Sequence, residues 1–514
     1  MTGVRPSMNP SAQSSLPGAP APLREPRDLP GPRGLPVLGS LHRWDVTRAH
    51  LILEQWAREH GPIYRFRLGP QPLVVVSDAD AMMTVLRERP HTFRRHFAVR
   101  PIFREMGIDG LFSAEGEDWR RQRPLVMRAL DPTHLRRFFP TVVTATERLH
   151  ARWLAAAATG APVDLRADLT RYTVDVTCSL AFGTDVATLA REDTDPLQPH
   201  LDRIFAGIAR RINSPWPIWR WWRTRADREI ERSLQVAGRA VRGFIETART
   251  EIERQPGLRD EPQNLLQALL VANEDARLSD AELHGNVMTL LLAGEDTTAN
   301  TIAWALHLLA QHAEVRRAAR TEAIEALAAE REAGTRLVAL RDFDSTRGLP
   351  LIEGVVLEAL RLKPVAPLNM FTAIQDTALL GTRIPARTLV CVLKRPPATD
   401  PRHFPEPQTF RPQRWLAGEA AASGSGSQSA PAGVSGGGRR AFAPFGGGPR
   451  FCPGRYLALL EAKMVLATTL ASFELEPTGD AVTEHMGMTM QPRGLRVRLR
   501  LPKPQTQRAR SDQA

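Results

Sequence analysis

Near its C-terminus the chain reads Phe445-Gly-Gly-Gly-Pro-Arg-Phe-Cys-Pro-Gly454. This stretch presents a single cysteine, Cys452, in a turn rich in glycine and proline that runs directly into a predicted helix. Gly446 and the two glycines after it carry no side chains, so backbone N–H groups can approach the sulfur. The stretch therefore predicts one thiolate that is held by backbone rather than by a second cysteine.

A lone thiolate suits haem iron better than zinc. Haem iron needs one axial protein ligand and leaves its other face open for oxygen, whereas Cys178 and Cys391 stand alone without paired zinc-ligand spacing. Arg450 can reach a haem propionate with a charge-assisted bond. Phe445 is expected to pack beside the sulfur, and Gly454 to let the chain pass close to the porphyrin. A free buried cysteine in a turn remains the plainer alternative.

A long helix is predicted from Ala281 to about Gln311. Its apolar residues fall on every side, which is typical of a buried helix. Glu295 and Asp296 cut the apolar run far short of the ~18 residues that a membrane span needs.

The centre of this helix reads Ala293-Gly-Glu-Asp-Thr-Thr298. Thr297 can donate to the carbonyl of Ala293, which opens or bends a helix, and Gly294 is expected to leave space above a haem. Asp296 can then pass protons to bound oxygen as a general acid. The alternative is a kinked core helix in which Asp296 pairs with a nearby arginine.

Two other pairs of side chains share a helix face. Glu358 and Arg361 lie three apart in an apolar helix, so the pair is expected to be buried and fully satisfied. Trp119 and Arg123 lie four apart, where a packed tryptophan beside a solvated arginine is the alternative. Pro124 suits the first turn of that second helix better than its interior.

The Cys452 stretch resembles the cysteine signature of the cytochrome P450 family, in its soluble bacterial type, with Phe445, Gly448, Arg450, Cys452 and Gly454 in register. The resemblance runs from about residue 29 to residue 498. It implies a mainly α fold with a small β subdomain, in one large haem-binding domain. It also implies heme b (iron protoporphyrin IX) with Cys452 as the axial thiolate and metal ligand.

The resemblance also implies residue roles. Thr297 and Asp296 are the expected catalytic hydroxyl and relay acid, and Trp119 and Arg123 the expected propionate-binding pair. Arg414 is expected to complete a structural motif with Glu358 and Arg361, although Gln413 stands where the family more often has Glu. The expected cofactor-binding residues are Cys452, Arg450, Trp119, Arg123, Phe445, Gly446, Gly454, Ala293 and Gly294.

The implied activity is insertion of one oxygen atom of O2 into a lipophilic organic substrate, by C–H hydroxylation or epoxidation. The pocket segments that the resemblance indicates are mostly apolar. Electrons are expected from a separate ferredoxin or flavodoxin with its reductase. The alternatives are a peroxide-driven peroxygenase, a haem-thiolate isomerase and a non-catalytic haem-binding sensor. Trp216, Trp219, Trp221 and Trp222 are interpreted as core and rim residues, or otherwise as a membrane-skimming entrance lip.

Composition limits the remaining possibilities. The 514 residues carry a net charge of +12, yet no recognition motif for nucleic acid accompanies the arginines. The excess charge indicates either a patch that steers an acidic electron donor or a proteome rich in arginine. Without a signal peptide or a transmembrane anchor in the sequence, and with three unpaired cysteines, a cytoplasmic monomer is expected. The predicted organisation is a disordered tail (1–28), the haem domain (29–502) with a flexible Gly/Ser-rich insertion (418–438), and a second tail (503–514).

Overall fold

A computed structural model describes residues 23–190, 198–212, 214, 216–276, 278–330, 338–416 and 440–502. The predicted insertion and C-terminal tail, and most of the predicted N-terminal tail, lie outside these residues. The α-helices of the described residues are α1 (Ala49–His60), α2 (Ala79–Arg87), α3 (Val99–Glu105), α4 (Gly116–Ala129), α5 (Pro132–Arg137), α6 (Phe139–Thr159), α7 (Leu165–Phe182), α8 (Gln198–Ile212), α9 (Arg225–Arg254), α10 (Leu265–Ala276), α11 (Asp280–Gln311), α12 (Ala313–Ala329), α13 (Pro350–Leu362), α14 (Arg395–Ala398) and α15 (Arg455–Ser472).

The strands form small sheets beside this helical body. They are β1 (Ile63–Leu68), β2 (Gln71–Val76), β3 (Phe93–Arg95), β4 (Pro162–Asp164), β5 (Leu368–Ala373), β6 (Thr377–Leu379), β7 (Thr382–Ile384), β8 (Leu389–Leu393), β9 (Glu474–Pro477), β10 (Thr483–Met486), β11 (Met490–Arg493) and β12 (Arg496–Arg500). The largest sheet has the order β1-β2-β8-β5-β3, in which only β2 and β8 run parallel. The predicted mainly α fold with a small β subdomain is confirmed.

Helix α11 is the central element of the helical body. Its start is fixed by a capping box, in which Ser279 Oγ accepts from the Glu282 N–H and the Glu282 carboxylate accepts from the Ser279 N–H. The helix packs against α7, α13 and α15. Because apolar residues occupy every side, it is buried along most of its length, as the sequence predicts.

Helix α15 fixes the cysteine stretch to this body. Gly454 caps its N-terminus, and the helix packs on α6, α11, α12 and α13. Cys452 therefore lies two residues before the N-cap of a helix that contacts α11 directly. None of the helices in the described residues is both long and apolar enough to cross a membrane.

Pro124 does not lie in the first turn of its helix, so that prediction is wrong. It lies in the interior of α4, which begins at Gly116. A proline there removes one backbone hydrogen bond, at a cost of about 3 kcal/mol. Burial of Leu125, Val126 and Ala129 on the following turn offsets that cost and keeps the helix continuous.

Candidate active site

The cysteine stretch is held by two glycines that no other residue could replace without strain. Gly446 has φ +77° and donates to the Ala443 carbonyl at 3.1 Å, and the Cys452 N–H donates to the Phe445 carbonyl at 2.8 Å. Gly448 has φ +63°, and a Cβ there would lie 2.6 Å from the Leu86 carbonyl oxygen. The turn therefore packs directly on the end of α2.

Positive charges act on the Cys452 sulfur. Burial raises the pKa of the thiol, while the Gly454 N–H and the charges of Arg123, Lys394 and Arg455 oppose that rise. Burial alone raises the pKa of Cys391 on β8 to about 12. Of these two cysteines, only Cys452 has a backbone N–H and neighbouring cations that oppose the effect of burial on its pKa.

The predicted hydrogen bond at the centre of α11 is present. Thr297 Oγ1 donates to the Ala293 carbonyl at 2.9 Å. Asp296 accepts from Asn300 Nδ2 at 2.8 Å and from the Thr489 hydroxyl, and Arg166 Nη2 lies 3.5 Å from its carboxylate. Asp296 thus has the arginine partner that the alternative interpretation expected, and it still borders the cavity together with Thr297.

Gly294 has a different neighbour from the one expected. A Cβ at this position would lie 2.7 Å from Thr177 Oγ1 on α7. The missing side chain therefore allows α11 and α7 to approach each other. The prediction that it leaves space above a haem is wrong, while Ala293 does line the cavity.

Sequence reasoning missed Glu295 as a titrating group. Its side chain is buried, Gln198 Nε2 donates to Oε1 at 2.6 Å, and Oε2 has no hydrogen-bond partner within the described residues. Burial, and then the charges of Asp202 and Asp296, raise the pKa of this carboxyl to about 8. The sequence signal was an acid placed directly before Asp296 in a helix that is buried all round.

A cluster of arginines, the buried Arg89 and the half-buried Arg95 and Arg450, lies beside the cysteine stretch around one carboxylate, that of Glu115. Glu115 pairs with Arg450 Nη2, accepts from the Arg95 backbone N–H at 3.0 Å, and lies 4.0 Å from Arg89 Nη2. Burial lowers the pKa of Arg89 to about 9 and those of Arg95 and Arg450 to about 10. The cluster therefore carries more buried positive charge than its single acid can neutralise.

The unsatisfied atoms of this cluster fit the two carboxylates of a haem. Nε and Nη2 of Arg89, Nε of Arg95 and Nε of Arg450 are buried without a hydrogen-bond partner in the part of the chain that the structure describes. Buried guanidinium groups need anionic acceptors. Arg95 also lines the cavity, so the cluster joins the cysteine stretch to the space beside α11. Arg89 was missed because its acid partner, Glu115, is 26 residues away along the chain.

Trp119 and Arg123 contact the cysteine stretch separately. The Arg450 guanidinium lies 4.4 Å from the centre of the buried Trp119 ring. Arg123 Nη2 donates to the Phe451 carbonyl at 2.7 Å and its guanidinium lies over the Phe451 ring. Both residues of the predicted pair face the site, but Trp119 contacts Arg450 and Arg123 contacts Phe451.

The Glu358 carboxylate is buried and fully satisfied. Arg361 donates to it from Nε at 2.9 Å and from Nη2 at 2.7 Å, and Arg414 Nε donates at 3.0 Å. Trp415 Nε1, which the sequence interpretation did not include, donates at 2.9 Å. The predicted contacts of this network are present, and they tie α13 to the segment that precedes the insertion.

A cavity of about 600 Å³ lies against the Ala293–Thr297 face of α11. Its walls are mostly apolar and come from the helical body and both edges of the β subdomain. Its apolar lining includes Val99, Ile102, Phe103, Phe112, Ile208, Leu368, Met370 and Met488.

The tryptophan cluster before α9 is largely exposed. Trp216 is 47%, Trp221 78% and Trp222 73% exposed, whereas Trp219 donates to Glu105 at 3.1 Å and lines the cavity. Trp216, Trp221 and Trp222 are therefore not core residues, and for them the rim and the entrance-lip interpretations stay predictions. They lie outside the core because α9 begins only at Arg225, so no common helix face collects them.

The sequence profile of the family described as Cytochrome P450 matches residues 29–499. Pentalenene oxygenase of Streptomyces avermitilis is 28% identical over 479 residues, which cover 91% of this chain and 96% of the relative. The mitochondrial 25-hydroxyvitamin D-1 alpha hydroxylase of Homo sapiens is 30% identical over 471 residues, 88% of this chain and 87% of the relative. Cyclooctatin synthase of Streptomyces melanosporofaciens is 28% identical over 454 residues, 88% and 90% of the two chains.

These matches extend over the helical body, the cysteine stretch and α11 together. The class that they define is the haem-thiolate monooxygenase, a group of enzymes that bind haem through a cysteine thiolate and act with O2 and a redox partner on lipophilic substrates. The chain belongs to the cytochrome P450 family.

Proposed function

We propose that the Cys452 thiolate would hold the iron of a heme b, and that Arg89, Arg95 and Arg450 would bind its propionates, with the Trp119 ring against the Arg450 guanidinium. The observation that carries this proposal is the set of buried guanidinium nitrogens without partners. Arg123 holds the cysteine stretch through Phe451. Phe445, Gly446 and Gly454 shape the turn around the sulfur.

Haem bound at this site supplies activation of O2 and transfer of one oxygen atom to a C–H or C=C bond of the substrate. The chain's own residues move protons and exclude water. The Thr297 hydroxyl borders the cavity beside Asp296, and Arg166, 3.5 Å from Asp296, also acts through its charge on the acids Asp202 and Glu295. This cluster is a route by which protons reach the Thr297 hydroxyl from outside the cavity.

The apolar walls of the cavity support a lipophilic substrate. The relatives are named for pentalenene, cyclooctatin and 25-hydroxyvitamin D, so what they share is oxidation rather than one substrate. C–H hydroxylation or epoxidation is the reaction that this site favours.

Electrons are proposed to come from a separate ferredoxin or flavodoxin with its reductase. Arg455 lies over Phe451 of the cysteine stretch, and the exposed Arg128 lies near the end of α4, whose Arg123 contacts the same ring. Arg440 is exposed just before the stretch, while Arg439 lies outside the described residues. A cytoplasmic location and a monomeric chain remain predictions from the sequence.

Spectra of the purified holoenzyme test the ligand. After reduction and addition of carbon monoxide, the Soret band is expected to shift to the position typical of thiolate-ligated haem, and Cys452→Ser to abolish that shift. A band at the position of histidine-ligated haem in the wild type would reject the proposal. Turnover driven by hydrogen peroxide alone, at the rate seen with a ferredoxin and its reductase, would favour the peroxygenase alternative.

Thr297→Ala tests the proton route. The variant is expected to consume electrons while the fraction recovered as oxidised product falls at least about tenfold, because general acid catalysis contributes at least that much. Thr298→Ala, at the adjacent buried threonine outside the cavity lining, is the matched control. Equal coupling in both variants would remove Thr297 from the route.

A further inference from the structure

One wall of the cavity carries a buried arginine whose Nε atom has no hydrogen-bond partner within the described residues. Arg211 belongs to the last turn of α8, is 6% exposed and lines the cavity. Its Nε is buried and makes no hydrogen bond within the residues that the structure describes. Burial lowers the pKa of this guanidinium, as it does for a cation that leaves water without a full partner.

The nearest carboxylate does not satisfy Arg211. Asp227 approaches the Arg211 guanidinium only to 3.9 Å, and the same oxygen already pairs with Arg210. The other Asp227 oxygen accepts from the backbone N–H and the hydroxyl of Thr224, at 3.0 and 2.6 Å. Asp227 is thus occupied by the capping box of α9.

The other acids whose charges act on Arg211 are also occupied. Glu105 accepts from Trp219 Nε1 at 3.1 Å and pairs with Arg220. Glu231 lies 2.8 Å from Arg223. Arg210, Arg220 and Arg223 therefore each have an acid within hydrogen-bond distance, whereas Arg211 has only the 3.9 Å contact with Asp227.

We propose that Arg211 binds the carboxylate of the substrate, so that the substrate class is a lipophilic organic acid. A carboxylate would accept charge-assisted hydrogen bonds from a planar guanidinium in two-point geometry. This inference rests on the proposed function, because it takes the cavity to be the substrate site.

The position of the anchor also limits where the substrate is oxidised. Arg211 belongs to α8 and Thr297 to α11, so the hydrocarbon part of the acid is the part that reaches α11. The product is a hydroxy acid, in which one oxygen atom of O2 enters the new C–OH bond. The other oxygen leaves as water, reduced by two electrons from the redox partner together with two protons.

Matched ligands test the anchor on the holoenzyme. Dissociation constants are measured by calorimetry for acid, alcohol and methyl ester built on the same C12 chain, C16 chain and polycyclic terpenoid skeleton. The acids are expected to bind at least about tenfold more tightly than their neutral partners, as a charge-assisted bond predicts. Arg211→Leu should remove that preference while changing affinity for the neutral compounds less than about threefold, and Arg211→Lys should restore part of it.

Arg232→Leu is the matched control, because Arg232 is exposed on α9 and the variant loses the same charge. Three results would each overturn the inference. The wild type could bind acids and neutral compounds with equal affinity, it could bind no acid at all, or its preference for acids could survive Arg211→Leu. The wild-type comparison decides even if Arg211→Leu fails to fold. The carbon monoxide spectrum of the same sample separates the two failures: with a thiolate-type band and no acid preference, only the carboxylate anchor is wrong.

Discussion

Glu295 shows how one buried side chain makes the stability of the whole enzyme depend on pH. Its carboxyl lies inside the protein with one oxygen unpaired, and Asp202 and Asp296 are its acidic neighbours. The fold therefore favours the protonated form. A carboxyl with a raised pKa stabilises the fold fully below its ordinary pKa of 4.5 and loses that contribution as the pH rises towards about 8.

We expect Glu295→Gln to flatten this dependence. The wild type should lose up to about 1.4 kcal/mol of unfolding free energy per pH unit across that window through this group, and the variant should not. Urea unfolding followed by circular dichroism at several pH values measures the slope. Glu314→Gln, at a carboxylate that is 93% exposed, is the control. Equal slopes in wild type and Glu295→Gln would show that Glu295 is ionised in the fold.

Replacing Arg89 is expected to preserve or raise the stability of the apoprotein and to weaken haem binding by the holoenzyme. With two guanidinium nitrogens unpaired, Arg89→Met removes a costly buried charge, so the apoprotein should be as stable as the wild type or more stable. The holoenzyme should release haem to apomyoglobin about tenfold faster, because a charge-assisted bond is lost. Arg87→Met, at an exposed arginine on α2, should leave both properties unchanged. An unchanged rate of haem release from Arg89→Met would remove Arg89 from the propionate site.

Among the elements, the cysteine stretch depends on backbone shape rather than on side-chain packing. Gly448→Ala forces a Cβ towards the Leu86 carbonyl at a positive φ, which costs about 1–2 kcal/mol before any steric clash is counted. We expect a lower fraction of haem-loaded protein with unchanged helical content in circular dichroism. Gly243→Ala in α9, where a Cβ meets open space, should instead stabilise the protein by about 0.5–1 kcal/mol. Full haem loading of Gly448→Ala would show that the turn tolerates a side chain.

Local patterns predicted those elements whose causes are local. The apolar run of α11 placed that helix within one residue of its observed bounds. The environment of Gly294 and the interior position of Pro124 depend on helices that only the tertiary fold brings together. The roles of Arg89 and Arg211 could not be predicted from sequence. Each residue is recognised by guanidinium nitrogens without a hydrogen-bond partner, and the acids near it in space are distant along the chain and already paired.

At the scale of the whole molecule, the net charge of +12 raises the question whether a basic patch docks the electron donor. If Arg128, Arg440 and Arg455 form the basic patch, the rate of reduction by an acidic ferredoxin should fall at least about tenfold when all three become Gln. The loss should shrink as salt rises from about 0.05 to 0.5 M, because ions screen exposed charges. Stopped-flow reduction of the haem measures the rate.

The matched control replaces three exposed arginines remote from the cysteine stretch in sequence, Arg228, Arg232 and Arg239 on α9, so that net charge falls equally. If the arginines merely reflect a proteome rich in this residue, both triple variants should be reduced at similar rates. A larger loss in the first variant, and one that salt abolishes, places the donor beside Cys452. Equal losses would assign the effect to net charge and remove these arginines from the electron path.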